Sequence, residues 1–212
     1  MVSTERLLAF AAMSFALIVI PGPSVLFVIG RALAQGRRAA LTTVVGNTLG
    51  AYMLVVAVAL GVGAVVERSA LVFTALKLLG AAYLVYLGVK AVRQRASLRA
   101  AFAGDGPAHG GLRTLWEGFA VGVANPKTIV FFAAVLPQFV DQRQGHVTVQ
   151  MLLLGLVFNV IAVVSDSVWG LVAATTRSWF TRSPKRLSLV GGAGGLAMIG
   201  LGVTVAATGR KD

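Results

Sequence analysis

The sequence contains no cysteine, only two histidines and few acidic residues. Without cysteine the chain has no disulfide framework, no thiol nucleophile and no thiolate metal ligand. Seven Asp and Glu residues stand against nineteen Lys and Arg, and charged residues make up only 12% of the chain. A soluble domain carries roughly 25% charged residues. The shortage of charge therefore argues against a soluble domain.

The chain is instead rich in long apolar runs, since 57% of its residues are hydrophobic. A membrane-spanning helix needs about 20 predominantly apolar residues. The runs and the polar breaks between them predict six such helices, at about 6–31, 39–66, 69–92, 114–137, 147–176 and 188–208. The sequence thus predicts an all-α polytopic membrane protein whose 212 residues form a single transmembrane domain.

The polar connection 94–113 is the longest and divides the spans into two groups of three. We interpret 1–93 as a first repeat, 94–113 as a linker and 114–212 as a second repeat. Because three is an odd number, the second repeat must cross the membrane in the direction opposite to the first. Inverted repeats of this kind are typical of secondary transporters.

Basic residues alternate between the connections. Twelve Lys and Arg lie at the first, third and fifth connections, and five lie at the termini and the other two. Lys and Arg are enriched in cytoplasmic loops, so the linker is predicted to be cytoplasmic and both termini to face outward. The net charge of +12 is therefore interpreted as an orientation signal and not as a nucleic-acid footprint.

Proline interrupts the first and the fourth predicted span. The first break reads Pro21-Gly22-Pro23, and the second reads Asn125-Pro126-Lys127. Proline frees backbone carbonyls, and a helix that begins after the break presents exposed amides suited to a carboxylate. Broken helices at corresponding positions of two repeats point to a substrate site near the bilayer midplane. A simple packing kink is the alternative at each break.

Ionisable residues occur within the predicted spans at Lys77, Lys127 and Asp166. At about 1.5 Å of rise per residue, they fall near the middle of a ~30 Å hydrocarbon core. Charges at that depth are costly and are usually paired or functional. Three roles stay open for Asp166: it binds the ammonium group of a substrate, binds a proton, or pairs with Lys77 or Lys127. Asn47, Asn125 and Asn159 are candidate liners, with helix packing as the alternative.

The candidate residues share a predicted position at mid-membrane or beside a break. The candidates for substrate binding are Pro21, Gly22, Pro23, Asn47, Asn125, Pro126, Lys127, Asn159 and Asp166. The candidates for ion coupling are Asp166, Lys77 and Lys127. No cofactor, catalytic residue or metal site is predicted.

These features resemble the lysine exporter (LysE/RhtB) family of bacterial amino-acid exporters. The resemblance rests on Pro21-Gly22-Pro23, the span-three stretch Leu76 to Gly88, Asn125-Pro126-Lys127, and Asp166 with Trp169. It implies proton-driven efflux of amino acids through the bacterial inner membrane, homodimers, and a substrate region at Pro21, Pro23, Asn125, Pro126, Lys127 and Asp166. It implies a transporter and not an enzyme.

One departure bears on the substrate. Exporters that resemble the lysine and arginine branch tend to carry an acidic residue in span two, and Gly46–Val66 has none. A neutral substrate such as threonine, homoserine or a branched aliphatic amino acid is therefore favoured over a basic one. A metal-ion exporter is a further alternative, although His109 and His146 lie in predicted loops. A membrane enzyme is another, although no nucleophile–base pair is apparent.

Overall fold

A computed structural model describes residues 2–68, 70–93 and 110–176, with scattered helical positions between 189 and 207. Within these ranges every regular element is helical, as predicted. The α-helices are α1 (Thr4–Val19), α2 (Pro23–Gln35), α3 (Arg37–Arg68), α4 (Ala70–Arg93), α5 (Gly111–Val123), α6 (Pro126–Ala134) and α7 (Val147–Thr175). Two short 3-10 helices, Leu136–Phe139 and Gln142–Gln144, follow α6.

Both predicted breaks are present. Helices α1 and α2 meet at an angle of 50°, and α5 meets the segment Pro126–Phe139 at 47°. In each case proline occupies the first turn of the second helix, where its missing N–H costs no hydrogen bond. We refer to α1–α2 as the first broken span and to α5–α6 as the second.

By length and composition, Arg37–Gly61 of α3 and Val147–Thr175 can each cross a membrane. Each broken span qualifies as one more crossing, which gives up to four within the described part of the chain. Of the two other predicted spans, 69–92 coincides with α4 to within one residue at each end. Most of 188–208 lies outside the described residues, so six spans and the repeat remain predictions.

The two broken spans run antiparallel to each other. At one end of the molecule Arg31 of α2 forms an ion pair with Glu117 of α5. At the other end Arg6 of α1 lies 3.9 Å from Asp141, which follows α6. The start of each broken span thus meets the end of the other, and the two breaks face each other between these contacts. This is the relative direction that an inverted repeat requires.

Helix α3 packs against α5 through glycines on both helices. A Cβ atom added at Gly118 would lie 2.5 Å from the carbonyl oxygen of Thr43. One added at Gly46, Gly50 or Gly122 would also meet backbone of the opposite helix. Gly46 and Gly50, like Gly118 and Gly122, are four residues apart, the small-residue spacing that lets membrane helices approach closely. This contact fixes Asn47 of α3 beside the second broken span.

The apolar core is divided at the breaks. Toward the Arg6 end, an aromatic cluster of Phe10, Phe131, Phe132, Phe139 and Phe158 fills the space between α1, α6 and α7. Its ring centroids are 4.7 to 6.0 Å apart, in tilted or edge-to-face geometry. Toward the Arg31 end, aliphatic side chains of α2, α3 and α7 form a second cluster. The polar groups of the two breaks lie between the two clusters.

Candidate functional site

The two breaks contact each other directly through polar groups. The Asn125 side chain donates from Nδ2 to the hydroxyl oxygen of Ser24, at 3.0 Å. The Lys127 ammonium donates to the backbone carbonyl of Ile20, at 2.8 Å. That carbonyl is at the C-terminal end of α1 and is released from helical hydrogen bonding by the break. Each broken span therefore provides a partner for the other at mid-span.

Asn125 also shapes the backbone of its own break. Its Oδ1 accepts from the Lys127 amide at 3.1 Å, which makes Asn125 the N-cap of α6. An N-cap asparagine satisfies one of the amides that a helix start leaves open. The same side chain therefore caps α6 with its oxygen and contacts α2 with its nitrogen.

Glycine at position 22 leaves room for the side chain of Lys127. A Cβ atom at this position would lie 3.0 Å from Cδ of Lys127 and 3.2 Å from its Nζ. The lysine stem crosses the N-cap of α2 at this point and delivers its ammonium to Ile20. Lys127 is only 5% exposed, so the charge lies within the protein at the junction of α1 and α2.

Asp166 of α7 and Asn47 of α3 form a second polar pair. Nδ2 of Asn47 donates to Oδ2 of Asp166 at 3.1 Å, and the two residues are 6% and 3% exposed. Oδ1 of Asn47 has no hydrogen-bond partner in the described part of the chain. A buried acceptor without a donor is unfavourable by roughly 1–3 kcal/mol, so this oxygen is suited to a donor that arrives with a ligand.

These groups border a common cavity between the broken spans, α3 and α7. The cavity has a volume of about 30 Å³. Its walls combine hydroxyl, amide and charged groups with apolar side chains, and they are formed by Leu17, Ile18, Ser24, Val25, Asn47, Thr48, Ala51, Asn125, Lys127, Thr128, Phe158, Ala162 and Asp166. A space of this size holds roughly one or two water molecules, so an amino acid enters only if the surrounding helices move apart.

Lys127 and Asp166 face the cavity without touching each other. Their charged atoms are more than 4.0 Å apart and form no ion pair. The charged residues at the two ends of the broken spans, by contrast, do form ion pairs. Opposite charges in a low-dielectric site attract strongly, and together they leave the site close to electrical neutrality. A gap between a buried cation and a buried anion is complementary to a zwitterion.

Most of the predicted residues converge here. Asn47, Asn125, Lys127 and Asp166 line the cavity. Pro21, Gly22 and Pro23 form the first break, and Pro126 begins α6 beside the second. Asn159 is buried but donates to the carbonyl of Gly155 at 2.9 Å, and it is not among the cavity-lining residues. The side chain of Lys77 lies outside the described residues.

Three polar liners were not among the predicted residues: Ser24, Thr48 and Thr128. For Ser24 a signal was available, because alignment of Pro23 with Pro126 also aligns Ser24 with Lys127. Thr48 is adjacent to Asn47 in α3, but its hydroxyl donates to the carbonyl of Val44 at 2.6 Å, as threonines within helices often do. Its sequence position alone gives no indication of the cavity.

Metal coordination gains no support from the described part of the chain, where no three His, Asp or Glu side chains group closely enough to hold an ion. His146 stands at the start of α7, in a left-handed backbone conformation, well along the chain from either break.

The sequence model of the LysE type translocators matches residues 15–209, nearly the full length. The chain belongs to this family. The match covers both breaks and all the residues that line the cavity, and it establishes a membrane transport protein. No solved structure matches the chain.

Three relatives illustrate the family. The chain is 35% identical over 187 residues to an uncharacterized membrane protein of Vibrio cholerae, covering 88% of this chain and 89% of the relative. It is 29% identical over 198 residues to the homoserine/homoserine lactone efflux protein of Salmonella typhimurium, covering 93% and 94% of the two chains. Its identity to the leucine efflux protein of an Enterobacter species is 25% over 193 residues, or 91% of each chain.

Proposed function

We propose that this translocator exports neutral amino acids from the cytoplasm. Membership of the family supports export, and two relatives are named for efflux of homoserine or leucine. The observation that carries the proposal is the cavity in which Lys127 and Asp166 face each other without an ion pair. The zwitterionic head of an amino acid offers a carboxylate and an ammonium that match these two charges.

The charge balance of the cavity favours a neutral substrate over a basic one. Among its lining residues the cavity has one acid, Asp166, and one base, Lys127. The ammonium of a dibasic substrate's side chain would need a second acid, and α3 supplies none within Gly46–Val66. The apolar side of the cavity, which includes Leu17, Val25 and Phe158, suits an aliphatic side chain.

Transport by this site requires alternating access. The aromatic cluster and the Arg6–Asp141 contact close one end of the broken spans, and the Arg31–Glu117 ion pair closes the other. By the distribution of Lys and Arg, the Arg31 end faces the cytoplasm of a bacterial inner membrane, and both termini face outward. Export then proceeds by opening the Arg31 end, loading the cavity, and rocking of the repeats 1–93 and 114–212 to open the Arg6 end.

Coupling to protons is assigned to Asp166. A carboxylate near the bilayer midplane can carry a proton across when the site alternates between the two faces. Lys127 lines the same cavity, so binding and release of a substrate would change the charges that Asp166 faces. Assembly into homodimers remains a prediction from the family resemblance.

The proposal is tested by counterflow in proteoliposomes with L-homoserine, L-threonine, L-leucine and L-lysine. Saturable counterflow of one or more neutral amino acids, stimulated by a pH gradient and absent for lysine, is expected. Asp166→Asn should abolish the response to the pH gradient. The matched control is Glu5→Gln, which removes an exposed acid at the start of α1.

The outcomes separate the elements of the proposal. No counterflow of any amino acid would reject amino-acid export. Counterflow of lysine equal to that of leucine would reject neutral selectivity. A full response to the pH gradient in Asp166→Asn would remove Asp166 from coupling.

A further inference from the structure

The two helix starts at the breaks differ in whether they are capped. At the start of α6, the Asn125 side chain accepts from the Lys127 amide. At the start of α2, the N-cap is Gly22, which has no side chain, and no other side chain caps this terminus. The prolines make the two breaks look equivalent in sequence. Of the two helices that begin there, however, α6 has a side-chain cap and α2 has none.

The open amides at the start of α2 belong to Ser24 and Val25. Pro23 has no N–H, and the next amide, that of Leu26, already donates to the Gly22 carbonyl at 3.0 Å. In the described part of the chain no hydrogen bond occupies the amides of Ser24 or Val25. Both residues line the cavity. Open amides at a helix start carry partial positive charge and favour an anion.

Ser24 adds a third donor at the same place. Its hydroxyl oxygen accepts from Asn125, so the hydroxyl hydrogen remains available for a further acceptor. Ser24 is 8% exposed, which makes an unused donor there unfavourable unless a ligand or water receives it.

The Lys127 ammonium strengthens the positive potential at this helix start. Its stem crosses Gly22, and a Cβ at Gly22 would lie 3.2 Å from Nζ. One of the three ammonium hydrogens is donated to Ile20, which leaves others for an anion. A buried cation beside the positive end of a helix is poorly solvated by the protein alone.

An independent observation lies across the cavity. Asn47 is 6% exposed, and its Oδ1 has no partner although its Nδ2 is held by Asp166. The wall at Asn47 and Asp166 therefore presents acceptors, whereas the wall at Ser24 and Lys127 presents donors. The cavity is polarised, and a ligand with one cationic and one anionic end fits it in one direction only.

We propose that the start of α2 is the carboxylate subsite, with Ser24 as a substrate-binding residue. The substrate carboxylate receives hydrogen bonds from the Ser24 hydroxyl, the amides of Ser24 and Val25, and Lys127. Its ammonium donates to Oδ1 of Asn47 and to Asp166. This inference rests on the proposed function, because it orients an amino acid in that same cavity.

The test compares each amino acid with its carboxamide, which keeps the ammonium and lacks the carboxylate. Counterflow of L-threonine and L-leucine is measured against inhibition by L-threoninamide and L-leucinamide, for the wild type and Ser24→Ala. Loss of a hydrogen bond to a charged group corresponds to roughly a tenfold or greater change in affinity. Ser24→Ala should weaken the apparent affinity for the acids by about that factor and leave inhibition by the carboxamides nearly unchanged.

Two further variants keep the result interpretable. Ser24→Thr retains the hydroxyl and should restore the preference for acid over carboxamide. Thr128→Ala removes a cavity hydroxyl from the start of α6, beside the capped terminus, and should leave that preference intact.

If Ser24→Ala weakened the binding of amino acids and of carboxamides equally, the carboxylate subsite would be overturned. It would also be overturned if Thr128→Ala, and not Ser24→Ala, abolished the preference for the amino acid over its carboxamide. In both cases wild-type counterflow continues and amino-acid export stands. If the wild type transports no amino acid, export and this orientation fail together.

Discussion

The ammonium of Lys127 donates to the backbone carbonyl of Ile20 across 2.8 Å, although the two residues lie in different broken spans. Proline at position 21 cannot continue the helix, so the carbonyls before it lose their helical donors. Water would satisfy such a carbonyl at the surface, but inside a membrane protein a side chain must do so. Lys127 therefore links the break in the first span to the start of α6 in the second.

Replacement of Lys127 by methionine tests this link. Lys127→Met keeps an unbranched side chain only one atom shorter and removes both the donor to Ile20 and the charge opposite Asp166. We expect transport to be lost and the protein to be destabilised by about 1–3 kcal/mol, because a buried acceptor is left without its donor. Counterflow and thermal unfolding in detergent measure the two effects.

The matched control is Lys90→Met, which removes an exposed lysine near the end of α4. It should leave both readouts close to those of the wild type. Full transport by Lys127→Met would show that the lysine is structural only.

Gly22 provides a milder change at the same link. In Gly22→Ala the new Cβ would lie 3.0 Å from Cδ of Lys127, a flexible stem that can move aside. We expect transport to fall several-fold while thermal stability changes by less than about 1 kcal/mol, because the strain is relieved by displacing the lysine. Transport kinetics and unfolding are measured on one preparation.

Gly111→Ala is the control for added volume near a helix start, since a Cβ at Gly111 meets nothing within 4 Å. Unchanged transport in Gly22→Ala would mean that Lys127 functions equally well in a shifted position.

Much of the fold could be predicted from sequence because its signals are local. Apolar length predicted α3 and α7, and proline predicted both bends to within a few residues. The sixth predicted span cannot be compared, because most of 188–208 lies outside the described residues. The antiparallel arrangement of the broken spans followed from counting spans, and the ion pairs at both ends agree with it.

The site was predicted less completely because its details depend on contacts between distant segments. Asp166 and Lys127 were identifiable as charges in apolar sequence. That they face one cavity without pairing depends on how α7 packs against the breaks. Ser24 illustrates the same limit: alignment of the two breaks marks it as a polar residue after proline, but its contact with Asn125, 101 residues away, depends on how the breaks pack together. Asn159 lies seven residues before Asp166, on the same face of α7, but its side chain bonds its own helix.

The glycine contact between α3 and α5 predicts a different kind of defect. In Gly118→Ala the new Cβ would lie 2.5 Å from the carbonyl oxygen of Thr43, which is backbone and cannot rotate away. The helices must separate, at a cost of about 1–3 kcal/mol. We expect a lower thermal midpoint with retained preference for acid over carboxamide in the protein that remains folded.

Transport and stability, measured together for two glycine variants, distinguish a defect in binding from a defect in helix packing. Gly22→Ala should impair transport with little loss of stability, and Gly118→Ala should do the reverse. A Gly118→Ala protein as stable as the wild type would mean that α3 and α5 are not held at the distance described here.

The absence of cysteine makes the closure of the two ends directly measurable. A single cysteine introduced as Ala162→Cys lines the cavity and is the only thiol in the chain. A membrane-impermeant thiol reagent applied from one face then reports whether that face is open. Inverted and right-side-out vesicles provide the two directions.

The Arg31–Glu117 ion pair should keep the cavity closed toward the cytoplasm. Glu117→Gln is made in the Ala162→Cys protein and removes the negative charge that pairs with Arg31 of the other broken span. Arg31 can keep its contact with the ring of Phe27, whose centroid is 5.0 Å from the guanidinium carbon. We expect labelling from the cytoplasmic face to rise several-fold, because the contact between α2 and α5 is weakened. Arg113→Gln is the control, since Arg113 pairs with Glu117 within the same helix, at 3.0 Å, and does not join the two spans. Equal labelling in all three proteins would show that the ion pair does not hold this end closed, and faster labelling of Glu117→Gln from the outer face would reverse the assigned orientation.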